Sequence, residues 1–277
     1  MKRILCLIVL IPALASAQNR MHLTLSGGFF NYYGDLQSKP LTLDQAHGAF
    51  GIGMKYDITS HFAVRGGLFY GRLSADDKNN KASLQPRNLN FHSRVYELNA
   101  FGEYAFFDLQ NKRFTPYVFG GLAVFRFNPY THDSTGVKYF LRPLSTEGQG
   151  LSVNGRKEYK LTQLAIPFGA GLRLRVSDQV TLAYEFNLRK TFTDHLDDVS
   201  TNYTDPAVLL AERGAKAVEL SYRGGELKDG NPVYPAGEVR GGASSKDWYY
   251  FSGLTVTIGI GNSLLGGGKG RTACPVF

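Results

Sequence analysis

Cysteine is nearly absent from this 277-residue chain, which carries only Cys6 and Cys274. Cys6 opens an apolar run instead of closing one, so it is not placed as a lipoprotein cysteine would be. If the first 17 residues are removed, Cys274 is left alone and no intrachain disulfide can form. After Gln18 there is no apolar run approaching the ~20 residues that a membrane-spanning helix needs. Runs of basic residues are missing as well. The formal charge is +8, but the lysines and arginines are scattered, with no helical stripe. That distribution argues against nucleic acid as a partner. Nor is this the composition of a disordered secreted chain, since 43% of residues are hydrophobic and 13% aromatic.

The chain opens with MKRILCLIVLIPALASAQ, which has the three parts of a secretory signal. Lys2 and Arg3 are the charged region, residues 4–14 the apolar region, and Ala15-Ser16-Ala17 the small-residue site. Cleavage is expected between Ala17 and Gln18. The expected organisation is therefore a signal over 1–17, one β domain over 18–262 and a tail over 263–277.

Period-two alternation recurs along the β domain. In 46–56, Phe50, Ile52, Met54 and Tyr56 share a face opposite His47, Ala49, Gly51, Gly53 and Lys55. Tyr96, Leu98, Ala100, Gly102 and Tyr104 oppose Glu97, Asn99, Phe101 and Glu103. The same pattern returns around 62–71, 164–175, 180–189 and 248–260. Two further strands are less clean. Residues 22–33 are interrupted by glycine, and 114–127 are apolar on both faces, which leaves the orientation of the latter open. Pro167 has no ladder donor and predicts a bulge in its strand.

Eight strands result, and their connections alternate in length. Residues 34–45, 75–91, 128–159 and 193–245 are long; 57–61, 107–113 and 176–179 are short. The polar faces hold Arg65, Glu97, Glu103, Arg173, Arg175, Glu185 and Arg189 among many glycines, while the apolar faces are aromatic at both ends. A water-soluble sandwich needs dry inner faces. An outer-membrane barrel needs the reverse, with short periplasmic turns and long outer loops. The expected fold is thus all-β, an eight-stranded antiparallel transmembrane barrel. Eight strands enclose packed side chains and no aqueous pore, which argues against a general porin.

Candidate chemistry is sparse. TFTDHLDDVSTNY packs Asp194, His195, Asp197 and Asp198 into five positions, where the seventh strand gives way to the longest loop. The spacing fits neither a calcium loop nor a zinc set. Two readings stay open: carboxylates that accept backbone hydrogen bonds at a loop start, or a divalent cation bridging them to surface lipopolysaccharide. His92-Ser93, with Glu97 nearby, is the nearest approach to a lipid A deacylase constellation. Adjacent strand residues face opposite ways, so the pair cannot act together. The glycine-rich pieces GIGMK and GIGNSLLGGGKGR link no strand to a helix and are not phosphate loops. DPAVLLAERGA reads as a short helix with Asp205 as N-cap and Pro206 in its first turn. Asp133-Ser134-Thr135 matches a short O-glycosylation pattern. No catalytic residue, cofactor, metal or small-molecule substrate is expected.

Several segments together resemble the PorG-type outer-membrane barrels of the Bacteroidetes type IX secretion system. They are NYYGDL (31–36), TPYVFGGLAVFRFNP (115–129), PLSTEGQG (143–150), IPFGAGLRLR (166–175), KTFTDHLDDVST (190–201), SKDWYYFSG (245–253) and CPVF (274–277). TEGQG, TDHLDDVST, KDWYYFSG and a terminal CPxF in this order are the most specific. Members tend to carry tyrosine where this chain has His195, which argues against a metal-ligating imidazole. The resemblance implies a non-enzymatic scaffold that docks a periplasmic ring, formed by a PorK-type lipoprotein and its PorN-type partner, onto the outer membrane and its lipids. An even strand count leaves both termini periplasmic. Cys274 is then expected either to bridge to a ring lipoprotein or to remain an unpaired thiol. The alternative function is a structural or adhesive barrel that works through its outer loops.

Overall fold

A computed structural model describes residues 20–152 and 155–260. The expected signal site at Ala17 and Gln18, and Cys274, lie outside the described residues. Among the described residues ten strands form: β1 (Met21–Tyr33), β2 (His47–Asp57), β3 (Phe62–Asp76), β4 (Asn90–Ala105), β5 (Phe114–Arg126), β6 (Tyr130–His132), β7 (Lys138–Phe140), β8 (Thr162–Arg175), β9 (Val180–Thr191) and β10 (Trp248–Gly259). Eight close into an antiparallel ring in the order β1-β2-β3-β4-β5-β8-β9-β10, and β10 pairs back onto β1. β6 and β7 are a small hairpin on the rim, joined to β4 where His92 meets Tyr130. Closure leaves no barrel edge unpaired, as a strand structure in lipid requires.

Alternation sets the two faces. Phe50 is 66% exposed and Leu122 69%, whereas Glu97 is 2% and Arg189 0% exposed. Outward positions carry Leu25, Ile52, Leu68, Leu98, Val124, Leu172 and Leu254, a belt of exposed apolar side chains around the whole ring. Aromatics edge it: Phe62, Tyr104, Phe106 and Phe114 near the short turns, Tyr33, Phe50, Tyr96 and Phe168 toward the long loops. Such a surface is unstable in water and matched to lipid. The protein is an outer-membrane-type β-barrel. None of the described helices is long and apolar enough to cross a membrane.

The ambiguous strand β5 resolves with Tyr117, Phe119 and Phe125 inside and Val118, Leu122 and Val124 outside. The bulge expected at Pro167 is absent. β8 keeps one register with β5 on both sides of the proline, from Gly120↔Phe168 to Ala123↔Ala165. Pairing is interrupted only between those two pairs. Proline removes a ladder donor there without requiring an inserted residue.

The interior is filled by side chains. Arg189 holds Glu97 through Nε at 3.0 Å, and the Tyr249 hydroxyl (2.6 Å) and Asn99 amide (2.7 Å) donate to the same carboxylate. One layer nearer the turns, Arg65 grips Glu185 at 2.6 and 3.0 Å and lies 2.9 Å from Glu103. Glu103 also takes Arg173 at 2.7 Å. The interior void beside Arg65 and Asn99 has a volume of only about 10 Å³. Every charged residue assigned to the inner face by alternation points inward, with Arg175 at the turn end.

Where the seam between β1 and β10 runs, Gly28 stands opposite Gly253. A Cβ on Gly28 would lie 2.3 Å from the Ser252 carbonyl oxygen, and one on Gly253 2.5 Å from that of Gly27. Only glycine allows the two backbones to approach this closely.

Candidate functional site

The long connections fold over one end of the barrel into a compact plug centred on TFTDHLDDVSTNY. Two helices, α1 (Pro206–Arg213) and α2 (Ala215–Ser221), belong to it. α1 starts as expected, with Asp205 accepting the Ala207 N–H at 2.8 Å. Gly214, at φ +85°, breaks the chain between the two helices, a backbone state natural to glycine.

The aspartates of the segment are buried, at 4% exposure for Asp194, 1% for Asp197 and 0% for Asp198. Asp197 accepts the N–H groups of Val199 (2.9 Å) and Leu36 (3.3 Å). The Tyr32 hydroxyl lies 2.7 Å from Asp197 and 2.7 Å from Asp247, and Asp247 also accepts the Leu196 N–H at 2.8 Å. A phenol has one proton, so it donates to one carboxylate and accepts from the other, which must itself carry a proton. Burial, reinforced by neighbouring acids, pushes both aspartates far above the usual carboxylate range. Asp198 accepts from the Thr146 and Tyr159 hydroxyls, and burial moves it up to about 6. Asp194 accepts from Ser200 at 2.7 Å, and burial moves it also to about 6.

Arg240 and Glu147 supply the charge pairing of the plug. Glu147 takes Arg240 at 3.0 Å, the N–H groups of Ser200 and Thr201 at 2.8 and 3.0 Å, and the Thr201 hydroxyl at 2.6 Å. Burial alone would raise Glu147, but Arg240 and these donors outweigh it and hold the carboxyl below its ordinary value. Arg240 also donates to the carbonyls of Asp198 and Ser221. Asp35 accepts the Gly242 N–H, and Arg87 ties Asp77 (2.7 Å) to the Asp35 carbonyl (3.1 Å).

Of the two readings of the segment, the hydrogen-bonding one holds in part: Asp197 accepts backbone N–H groups, whereas Asp194 and Asp198 accept from side-chain hydroxyls. The carboxylates face inward onto hydroxyls and amides, so they cannot reach a surface lipid through a cation. Among the described residues, no group of three or more acidic, histidine or cysteine side chains forms a cation site. His195 stacks on Tyr159 at 4.7 Å, and burial lowers its pKa. It is an aromatic neighbour in the plug.

The other sequence candidates are scattered. His92 lies on the outer wall beside Tyr130 and His132, while Ser93 is buried and accepts the Asn128 N–H at 3.0 Å. Glu97 belongs to the Arg189 pair inside, so the three do not meet. Asp133 shapes the β6–β7 turn by accepting the N–H groups of Thr135 and Val137, and Ser134 is exposed at its tip.

Sequence reasoning missed the convergence. NYYGDL supplies Tyr32 and Asp35, TEGQG supplies Thr146 and Glu147, TDHLDDVST the aspartates, and KDWYYFSG Asp247. Four motifs spread over more than 200 positions meet in one buried network. The signal available was compositional, since each motif pairs acids with aromatic or hydroxyl residues.

The opposite end is different. An open cup of about 490 Å³ lies between the short turns, lined by Arg20, Lys55, Asp57, Glu103, Arg173 and Arg175, among others. Lys55 pairs with Asp57 at 2.9 Å, and His22 reaches the same carboxylate at 2.7 Å.

A family model described as a domain of unknown function (DUF6089) matches residues 2–210. The chain belongs to this DUF6089 family. No curated protein matches it. Solved barrels resembling it include Neisserial surface protein A, at 11% identity over 86% of this chain and 96% of that one, TM-score 0.42. Ail of Yersinia pestis is similar at 9% identity over 87% and 98%, TM-score 0.41. OprG of Pseudomonas aeruginosa matches at 9% over 87% and 98%, TM-score 0.40. The eight-stranded closure of this DUF6089 member is read from its own strand pairing, independently of these likenesses.

Proposed function

We propose that this protein is a non-enzymatic scaffold of a type IX protein secretion system, docking a periplasmic PorK/PorN-type ring to the outer membrane. The observation carrying this reading is that four of the seven segments of the PorG-type resemblance, NYYGDL, TEGQG, TDHLDDVST and KDWYYFSG, interlock in the plug. A resemblance whose loop segments meet in one cooperative unit supports a shared architecture, whereas generic strand sequence alone would not. In this reading the plugged end faces outward and the short turns, both termini and the polar cup face the periplasm. The plug seals the side away from the ring, and the cup with its flanking turns offers charged and hydrogen-bonding groups on the side toward it.

Deleting the gene and measuring the culture fluid by proteomics tests the reading. Proteins with type IX sorting domains should disappear from the fluid and return on complementation. Unchanged secretion would leave a structural outer-membrane barrel and overturn the secretion role.

A further inference from the structure

Strand register gathers three arginines that are far apart in sequence. Arg72 on β3 stands directly opposite Arg94 on β4, and Arg126 on β5 opposite Tyr96, two residue pairs closer to the belt. All three are exposed and lie on the outward face. None makes a side-chain ion pair or hydrogen bond with a described residue. Asp76, the acid further along β3, is held by Lys78 at 3.0 Å. Above the arginines the same wall carries another cation, Lys138, 3.7 Å from the Tyr130 ring centre. The opposite wall at this height presents Trp248, Tyr33 and Lys190.

Like charges directly opposite each other on paired strands are destabilising unless something lies between them. Below the arginines, an apolar furrow of about 570 Å³ runs down the lipid-facing wall. Phe50, Ile52, Leu68, Leu98 and Val124 line it, with Arg126 at its rim. Tyr70 and Tyr96, with ring centres 5.1 Å apart, mark the boundary between furrow and arginines. A furrow inside the lipid belt is open to lipid, not to a water-borne protein, so its occupant is an acyl chain. The headgroup of that lipid falls among the guanidinium groups, whose forked donors match phosphate oxygens. With strands ~4.8 Å apart, the three arginines span roughly 10 Å, wider than one phosphodiester.

We infer that Arg72, Arg94 and Arg126, with the furrow below them, bind a multiply phosphorylated glycolipid of the lipid A class in the leaflet at the plugged end. The lipid class rests on the outward orientation of that end given under Proposed function.

The test uses the full chain in nanodiscs of phosphatidylcholine doped with diphosphoryl lipid A, with retained lipid counted by native mass spectrometry. The wild-type protein should retain lipid A but not its fully dephosphorylated form, and an equal amount of phosphatidylglycerol should not displace it. The triple variant R72Q/R94Q/R126Q should lose retention about tenfold or more, as expected when charge-assisted phosphate contacts are removed, while Lys190→Gln behaves as wild type. Equal retention of the dephosphorylated form, displacement by phosphatidylglycerol, or no loss in the triple variant would each overturn the site. If the triple variant does not fold, the phosphate comparison on wild type and the single Arg94→Gln variant decide. Protease access to the loops on whole cells reports the orientation separately, and lipid retention is read without secretion.

Discussion

The barrel interior and the plug above it both bury carboxylates, but they neutralise them in different ways. Inside the barrel each glutamate meets a guanidinium: Glu97 meets Arg189, Glu185 meets Arg65, and Glu103 meets Arg65 and Arg173. In the plug Glu147 is matched this way by Arg240, and Asp77 at its edge by Arg87. Asp194, Asp197, Asp198 and Asp247 rely on hydroxyls, backbone amides and retained protons. Paired charge fixes a wall that must persist in lipid, whereas protonatable carboxyls leave the plug sensitive to its medium. The difference predicts a barrel indifferent to mild pH change beneath a plug that responds to it.

The sharpest way to break the comparison is to unpair the barrel. Arg189→Met leaves Glu97 buried without its cation and should cost about 3–5 kcal/mol in denaturant unfolding of the reconstituted protein. The double variant with Glu97→Gln should recover most of that loss. Next in size is Arg240→Met, which should lower the local opening free energy of 193–245 by about 3 kcal/mol in hydrogen exchange. Barrel strands should exchange as in wild type. Unfolding of the barrel together with the plug would erase the distinction between the two regions.

A third experiment varies pH alone. Asp198 titrates near 6 when folded against an ordinary 3.8, so the folded plug takes up this proton first. Plug stability should therefore rise as pH falls from above 6 toward 3.8, by at most about 3 kcal/mol for this group. At still lower pH the gain reverses, because the depressed Glu147 loses its charge and with it the Arg240 pair. Hydrogen exchange of the plug at pH 7.5 and 5 reads the rise, and Asp198→Asn should reduce it by this group's share, leaving the part that Asp194 contributes. A plug more protected at the higher pH would contradict the assignment. The smallest expected effect belongs to Cys274→Ser, which should leave both regions as stable as before. On non-reducing gels it should remove a thiol-sensitive heavier band containing a ring lipoprotein. No such band in wild type would mean an unpaired thiol.

The wall was legible because alternation is local: in β4 the sequence YELNAFGEY states which side chains meet lipid. β5 was not, since Tyr117, Phe119 and Phe125 are as apolar as Val118, Leu122 and Val124, and only the packing of the first three on Arg173, Arg65 and Tyr249 separates the sets. The β6–β7 hairpin escaped notice because each strand has three residues, although Asp133-Ser134-Thr135-Gly136 is a good turn sequence. The plug was legible as four motifs but not as a unit. Tyr32 and Asp197 are 165 positions apart, and no spacing rule reports such a contact. The arginine patch was invisible for the same reason, as its members share a face only through register. The Pro167 expectation failed because a missing donor can be absorbed as a gap between two strands already in step.

The glycine-lined seam has a consequence for how the molecule comes into being. Gly28 and Gly253 belong to the first and last strands of the ring, so the cylinder cannot shut until nearly the whole wall has been delivered. Until then the nascent sheet has two raw margins capable of capturing a foreign strand. The latch is the last piece to arrive, and its side-chain-free midpoint lets it slide home against its mate without a steric toll.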